Sequence, residues 1–281
     1  MYASRLAVLI AAMTTATQAD PRNLTAVEYA APNGISLRFD ACIPSGEGPF
    51  AAAILVHGGG WVRGDRRVEV APLFQPLNDA GIAWFSISYR LAANPLQFGD
   101  AVADVEAAVR YIKAHAAEYR VDPGRIALIG ESAGGHLAAM AALRTHDLGL
   151  QGVVAIYAPT DLVSLANNSK LVPEPLRAGL DGTPWKGLIL DRLAKLSPIE
   201  HVYEGMPPFL LIHGTADQLV PFEQSTRMCE RANSVGARCE VYAVPDAGHG
   251  IRWWEPSAAM AGPYKRRLVE WLKARFAEDR Q

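Results

Sequence analysis

Short apolar runs alternate along this chain with longer stretches in which apolar residues recur every three or four positions. AVEYA (26–30) and ISLRFDACI (35–43) read as an antiparallel pair joined at Asn33-Gly34, a hairpin signal. AAAILVHG (51–58) and GIAWFSISYR (81–90) read as strands buried on both faces. From Asp100 to Arg120 the period becomes helical, with Val102, Val105, Val109 and Ile112 building one apolar face. RIALI (125–129) predicts another strand and HLAAMAALR (136–144) the helix after it. QGVVAIYA (151–158) and PPFLLIHG (207–214) predict two further strands, FEQSTRMCERANSVGA (222–237) a helix, and RCEVYAV (238–244) the last strand. A C-terminal helix is expected from Ser257, with an early break at Gly262-Pro263.

Strands alternating with helices imply an α/β fold: a mostly parallel, doubly wound sheet of about eight strands, with the early hairpin as an antiparallel edge. The stretch 159–206 fits no simple repeat and carries Pro159, Pro173, Pro175, Pro184 and Pro198, so it is expected to form a small cap or lid above the sheet. The first residues differ in kind. Arg5 precedes an apolar run from Leu6 to Met13, and small residues flank Gln18 before Asp20. This is the pattern of a secretory signal cut after Ala19, too short to span a bilayer, followed by one α/β domain over 20–281. A secreted or periplasmic location follows, with no transmembrane span in the mature chain.

Charge narrows the partners. Lys+Arg number 27 against 29 Asp+Glu, and no basic run is interleaved with aromatics, so no nucleic-acid partner is expected. Cys42, Cys229 and Cys239 cannot close a disulfide framework among themselves, although a Cys229–Cys239 bond is open to an exported chain; three buried thiols are the alternative. No spacing suggests a metal site, and no cofactor is implied.

The chemistry concentrates at GESAGG (130–135), a serine among the smallest residues, between an expected strand and an expected helix. Gly130-Glu131-Ser132-Ala133-Gly134 matches G-x-S-x-G, a turn whose small neighbours let it be sharp enough to lift a serine Oγ over the sheet edge. A serine needs a base and an acid to become a nucleophile, and on such a sheet they follow it in the order acid, then histidine. HGTADQLVP supplies Asp217 just past one strand, and DAGHG supplies His249 just past the last. Taken alone, each would read as a turn or loop residue; the shared order and strand-end placement argue for catalysis. Asp161 also follows a strand, at the start of the irregular stretch, and is the alternative acid; Asp246 is expected in a turn. HGGGW (57–61) follows a central strand and has the bare backbone to aim N–H groups at an oxyanion, with Ala133, directly after the serine, as the third donor. His57, His136 and His213 are expected to be structural. Trp61 and Trp253 are candidates for contact with substrate, whereas Trp254 reads equally well as core.

HGGGW, SYRLA, GESAGG, HGTAD-x-x-VP and AGHG in this order resemble the α/β-hydrolase fold, and within it the hormone-sensitive-lipase-like bacterial esterases and the related acetyl- and feruloyl-esterase group. The resemblance covers about Ile35 to the C-terminus. It implies Ser132 as nucleophile, His249 as base, Asp217 as acid, Gly59, Gly60 and Ala133 as the oxyanion hole, and a ring of His57 that braces the glycine loop. Two departures stand out: Glu131 occupies a position usually held by Asp, and too few residues precede the first strand for a long helical N-terminal cap. Both, like the tryptophan of HGGGW, turn the expectation toward the capless, glycan-acyl-ester side of the group; with the leader, this implies a secreted serine carboxylic-ester hydrolase of short-chain or aromatic acyl esters, small molecules or glycans, including plant polysaccharides. An arylformamidase or a serine peptidase would use the same triad, and a ligand-binding relative without activity would have lost part of it.

Overall fold

The computed structural model describes residues 20–93, 98–168 and 183–278; the expected leader and the middle of the expected cap lie outside them. Eight strands form one sheet: β1 (Arg22–Ala30), β2 (Leu37–Ile43), β3 (Phe50–Val56), β4 (Ala83–Ile87), β5 (Val121–Glu131), β6 (Gly152–Ile156), β7 (Phe209–Gly214) and β8 (Cys239–Val244). They lie in the order β1-β2-β4-β3-β5-β6-β7-β8. β2 pairs antiparallel with both β1 and β4, and every other pairing is parallel. This is the α/β-hydrolase fold with its antiparallel edge.

The central strands are apolar throughout because both of their faces are covered. In β3, Ala52, Ile54 and Val56 enter one core while Ala53 and Leu55 enter the other. β5, β6 and β7 alternate in the same way, with Leu128, Val153 and Leu211 on the first face and Ile129, Val154 and Ile212 on the second. α2 (Gly99–Ala114), α3 (Ala133–Arg144) and α6 (Glu223–Ser234) bury apolar residues in the first core. α1 (Phe74–Asp79), the short α7 (Ile251–Trp254) and the C-terminal α8 (Ala258–Ala277) do so in the second. Each fully buried Ile or Leu contributes about 1.5–3 kcal/mol, so the register of these strands is strongly specified. From the irregular stretch come α4 (Leu162–Asn168) and α5 (Pro184–Lys195), followed by a 3-10 turn at Pro198–His201.

The larger departures from the pattern fall in two helices. α2 ends at Ala114 instead of running to Arg120; the chain returns through turns in which Val121 N–H bonds the Ala116 carbonyl. Ala116 and Tyr119 are buried in those turns, which prolongs the apolar period beyond the helix. The C-terminal helix shows no break at Gly262-Pro263, because α8 runs through Pro263. The proline forfeits one hydrogen bond near the start of the helix, and burial of Tyr264, Leu268, Trp271 and Leu272 outweighs that loss. Cys229 and Cys239 are joined as a disulfide that ties α6 to β8, their Cα atoms 5.0 Å apart, while Cys42 is a free buried thiol. No helix among the described residues is long and apolar enough to cross a membrane.

Candidate active site

The strand order reverses direction between β3 and β5, and a parallel sheet opens a crevice outside its strand ends at such a switch point. The glycine loop follows β3, Ser132 follows β5, Asp217 follows β7 and His249 follows β8, so one edge gathers all four segments. Ser132 itself holds φ 53°, ψ −122°, a strained conformation for a residue with a side chain. Two backbone bonds hold it there: Ser132 N–H to the Ile156 carbonyl at 2.8 Å and His136 N–H to the Ser132 carbonyl at 3.0 Å. Close approach explains the bare neighbours. A Cβ on Gly130 would lie 2.2 Å from the Gly134 carbonyl oxygen, and one on Gly134 would lie 2.1 Å from that of Val56.

Side chains 85 and 117 residues apart in the chain meet in a line. His249 Nδ1 is 2.7 Å from Asp217 Oδ2, and His249 Nε2 is 2.9 Å from Ser132 Oγ. A carboxylate only accepts, so Nδ1 carries the proton and Nε2 presents its lone pair to the serine hydroxyl. Asp217 Oδ1 accepts the N–H groups of Leu219 and Val220 at 2.8 and 2.9 Å, and the carboxylate side chain is wholly buried. Burial alone would raise its pKa; the ring N–H groups of His213 and His249 and the Val220 N–H outweigh it and hold the acid well below the usual carboxylate range. His213 is structural, accepting from the Ser225 hydroxyl at Nδ1 and donating to the Val220 carbonyl at Nε2. Asp161 is occupied elsewhere, paired at 2.9 Å with Arg227.

The glycine loop is braced from below. His57 donates through Nδ1 to the Gly58 carbonyl at 2.8 Å and stacks on Tyr89, as expected of a structural ring. Gly59 and Gly60 both adopt positive φ, 109° and 63°. Ala133 is the first residue of α3, where a backbone N–H has no carbonyl one turn earlier to bond. Trp254 is core, whereas Trp253 is 81% exposed. The Trp61 indole N–H donates to His136 Nδ1 at 3.2 Å, and its face stacks on Phe98.

Two residues that the sequence alone did not assign to the site, Glu131 and Tyr157, complete the floor. Glu131 Oε1 accepts Gly58 N–H at 2.6 Å, and the Tyr157 hydroxyl donates to the same carboxyl group. Tyr157 in turn accepts the Ile251 N–H at 2.7 Å and lies against the His249 ring at 4.5 Å between centroids. Burial raises the Glu131 pKa against these donors. The signal in the sequence was an acidic residue inside an otherwise apolar strand end, which has to find buried donors.

An α/β-hydrolase sheet with a serine, a histidine and an aspartate hydrogen-bonded in line at its strand ends is the framework of a serine hydrolase. A family model described as BD-FAE matches residues 40–231, and the chain belongs to that family. Among curated relatives, the chain is 30% identical over 256 residues to esterase LipC of Mycobacterium tuberculosis, covering 82% of this chain and 61% of LipC. It is also 30% identical to the probable carboxylic ester hydrolase LipM of the same organism, covering 67% of this chain and 46% of LipM. This chain thus spans roughly half to three-fifths of the length of these two relatives. Esterase 2 of Thermogutta terrifontis phosphonylated by sarin superposes with a TM-score of 0.73 at 26% identity, covering 90% of this chain and 96% of that one. A truncated carbohydrate esterase from gut microbiota shares the fold, with a TM-score of 0.75 at 24% identity, covering 94% and 99%.

Proposed function

We propose that this protein is a serine carboxylic-ester hydrolase that works through an acyl-enzyme. The observation that carries the reading is the continuous hydrogen-bonded line Asp217–His249–Ser132. In this reading Ser132 Oγ attacks the ester carbonyl carbon while its proton passes to His249 Nε2. Asp217 holds the ring orientation and stabilises the imidazolium. The carbonyl oxygen, now negative, is met by the N–H groups of Ala133, Gly59 and Gly60. When the tetrahedral adduct collapses, the C–O bond to the alcohol breaks and His249 returns the proton to the leaving oxygen. Water, deprotonated by His249, then repeats the attack and frees the acid and Ser132.

The acyl group is proposed to be short or aromatic, with a sugar as one class of alcohol. Trp253, four residues beyond His249, offers an exposed flat face for stacking a sugar or aromatic ring. Export is proposed on the leader pattern over 1–19, and the Cys229–Cys239 disulfide suits an oxidising compartment. The test is kcat/KM on p-nitrophenyl esters from two to twelve carbons, with feruloyl esters, acetylated xylan and N-formylkynurenine alongside. Acetyl to butyryl esters should be preferred, and Ser132→Ala should lower kcat by about 10⁴- to 10⁶-fold and block labelling by a phosphonate. Activity within tenfold of the parent in Ser132→Ala would end the mechanism; a maximum at eight carbons or beyond would end the short-acyl reading.

A further inference from the structure

His136 lies on α3, one turn beyond the nucleophile, and is wholly buried, yet the reaction makes no direct use of it. Its two ring nitrogens face partners that leave only one protonation state. The Leu196 carbonyl, 2.7 Å from Nε2, can only accept, so Nε2 carries the proton. The Trp61 indole, 3.2 Å from Nδ1, can only donate, so Nδ1 carries the lone pair. Each partner belongs to a different part of the fold. Trp61 directly follows Gly60 and holds φ 66°, and Leu196 closes the cap helix α5. The contacts around them reinforce the link. Trp61 stacks on Phe98 at 4.7 Å, and Phe98 packs with Leu162, Leu165 and Leu196 at the base of the cap. The His136 ring meets both aromatic rings edge-on. Ser197, next to Leu196, accepts the Leu162 N–H and so joins α4 to the end of α5.

We propose that His136 is a positioning residue: as the neutral Nε2–H tautomer it holds Trp61, and through it the Gly59–Gly60 backbone, in register with the nucleophile helix and the base of the cap. This inference rests on the serine-hydrolase reading, since it concerns the donors that reading assigns to the oxyanion. Trp61 therefore acts from behind the glycine loop and is not a surface for substrate. Its loss should cost transition-state stabilisation, which depends on donors placed to within a few tenths of an ångström, and should spare binding of the ester ground state.

The experiment pairs Trp61→Phe, which keeps a ring against Phe98 and removes the N–H, with His136→Leu, which removes the acceptor. Each is assayed on p-nitrophenyl acetate and titrated with an alkyl trifluoromethyl ketone, whose adduct with serine places an oxyanion in the hole. Trp61→Phe should lower kcat by about 10- to 100-fold and weaken the ketone by a similar factor, with KM within about threefold. The double variant should lose no more than the greater single loss, because the two side chains act as one unit. Unchanged kcat and ketone affinity in folded Trp61→Phe would overturn the proposal, even if His136→Leu fails to fold. A change confined to KM or to acyl-length preference would also overturn it, by making Trp61 a substrate contact. Activity surviving in Ser132→Ala would instead remove the hydrolase reading beneath it, a result distinct from either of these.

Discussion

Adding one methyl group at Gly134 tests whether close approach of backbone shapes the elbow. A Cβ there would lie 2.1 Å from the Val56 carbonyl oxygen and 2.3 Å from that of His57. Both atoms are backbone at the end of the central strand β3, so neither can rotate away. Relieving the overlap requires α3 and β3 to separate by about 1 Å, since carbon and oxygen settle near van der Waals contact. Overpacking of this kind costs about 1–3 kcal/mol, and in a chain of this size each kcal/mol lowers Tm by about 2–4 °C. The larger effect falls on catalysis. Ser132 stands two residues before Gly134, and a misplacement of about 1 Å costs about 10²-fold in rate. Gly187→Ala is the control: it lies exposed in α5 with nothing within 4 Å of the added Cβ. That substitution should stabilise by up to about 1 kcal/mol through helix propensity and leave kcat unchanged. Thermal melts followed by circular dichroism, with kcat on p-nitrophenyl acetate, measure both variants. A Gly134→Ala protein with the parent's Tm and kcat would refute the reasoning.

Asp217→Asn should fold but lose about 10³- to 10⁴-fold in kcat: with its oxygen kept on the Leu219 and Val220 N–H groups, the new NH₂ donates to His249 Nδ1 and leaves the ring proton on Nε2, which then cannot accept from Ser132; a loss below tenfold in steady-state kinetics would exclude Asp217 as the acid. Stability should fall on acidification from pH 6.5 toward pH 4. Burial lowers the His136 pKa from 6.5 to about 4, against the Leu196 carbonyl, so in that window the unfolded chain binds more protons than the folded one. The depression is equivalent to about 3 kcal/mol; buried His57 acts in the same direction, and Glu131, with a raised pKa, in the opposite one. Urea unfolding at pH 6.5 and 4.5 should show a shallower dependence in His136→Leu than in the parent, and an equal dependence would contradict the burial argument.

The local sequence by itself determined the layered fold and the segments of the site. Runs such as AAAILV and FLLI are apolar at every position and short, as a strand covered on both faces requires, and GESAGG marks the turn between such a strand and its helix. The order of Ser132, Asp217 and His249 on strand ends was equally legible, because a parallel sheet brings the ends of distant strands to one edge. The extent of α2 was not, since Ala116 and Tyr119 stay buried in turns that mimic a helical face. Nor was the continuity of α8 past Pro263, which depends on what Tyr264 and Leu268 pack against. Glu131 and Tyr157 joined the site only through their partners, Gly58 and Ile251, 73 and 94 residues away. The partners of Trp61, His136 for its indole N–H and Phe98 for its face, were not legible either, because they sit on other elements of the fold. Periodicity reports which face of an element is buried, whereas the partner of a buried polar atom is fixed by elements far apart in the chain that meet only when the whole sheet has assembled.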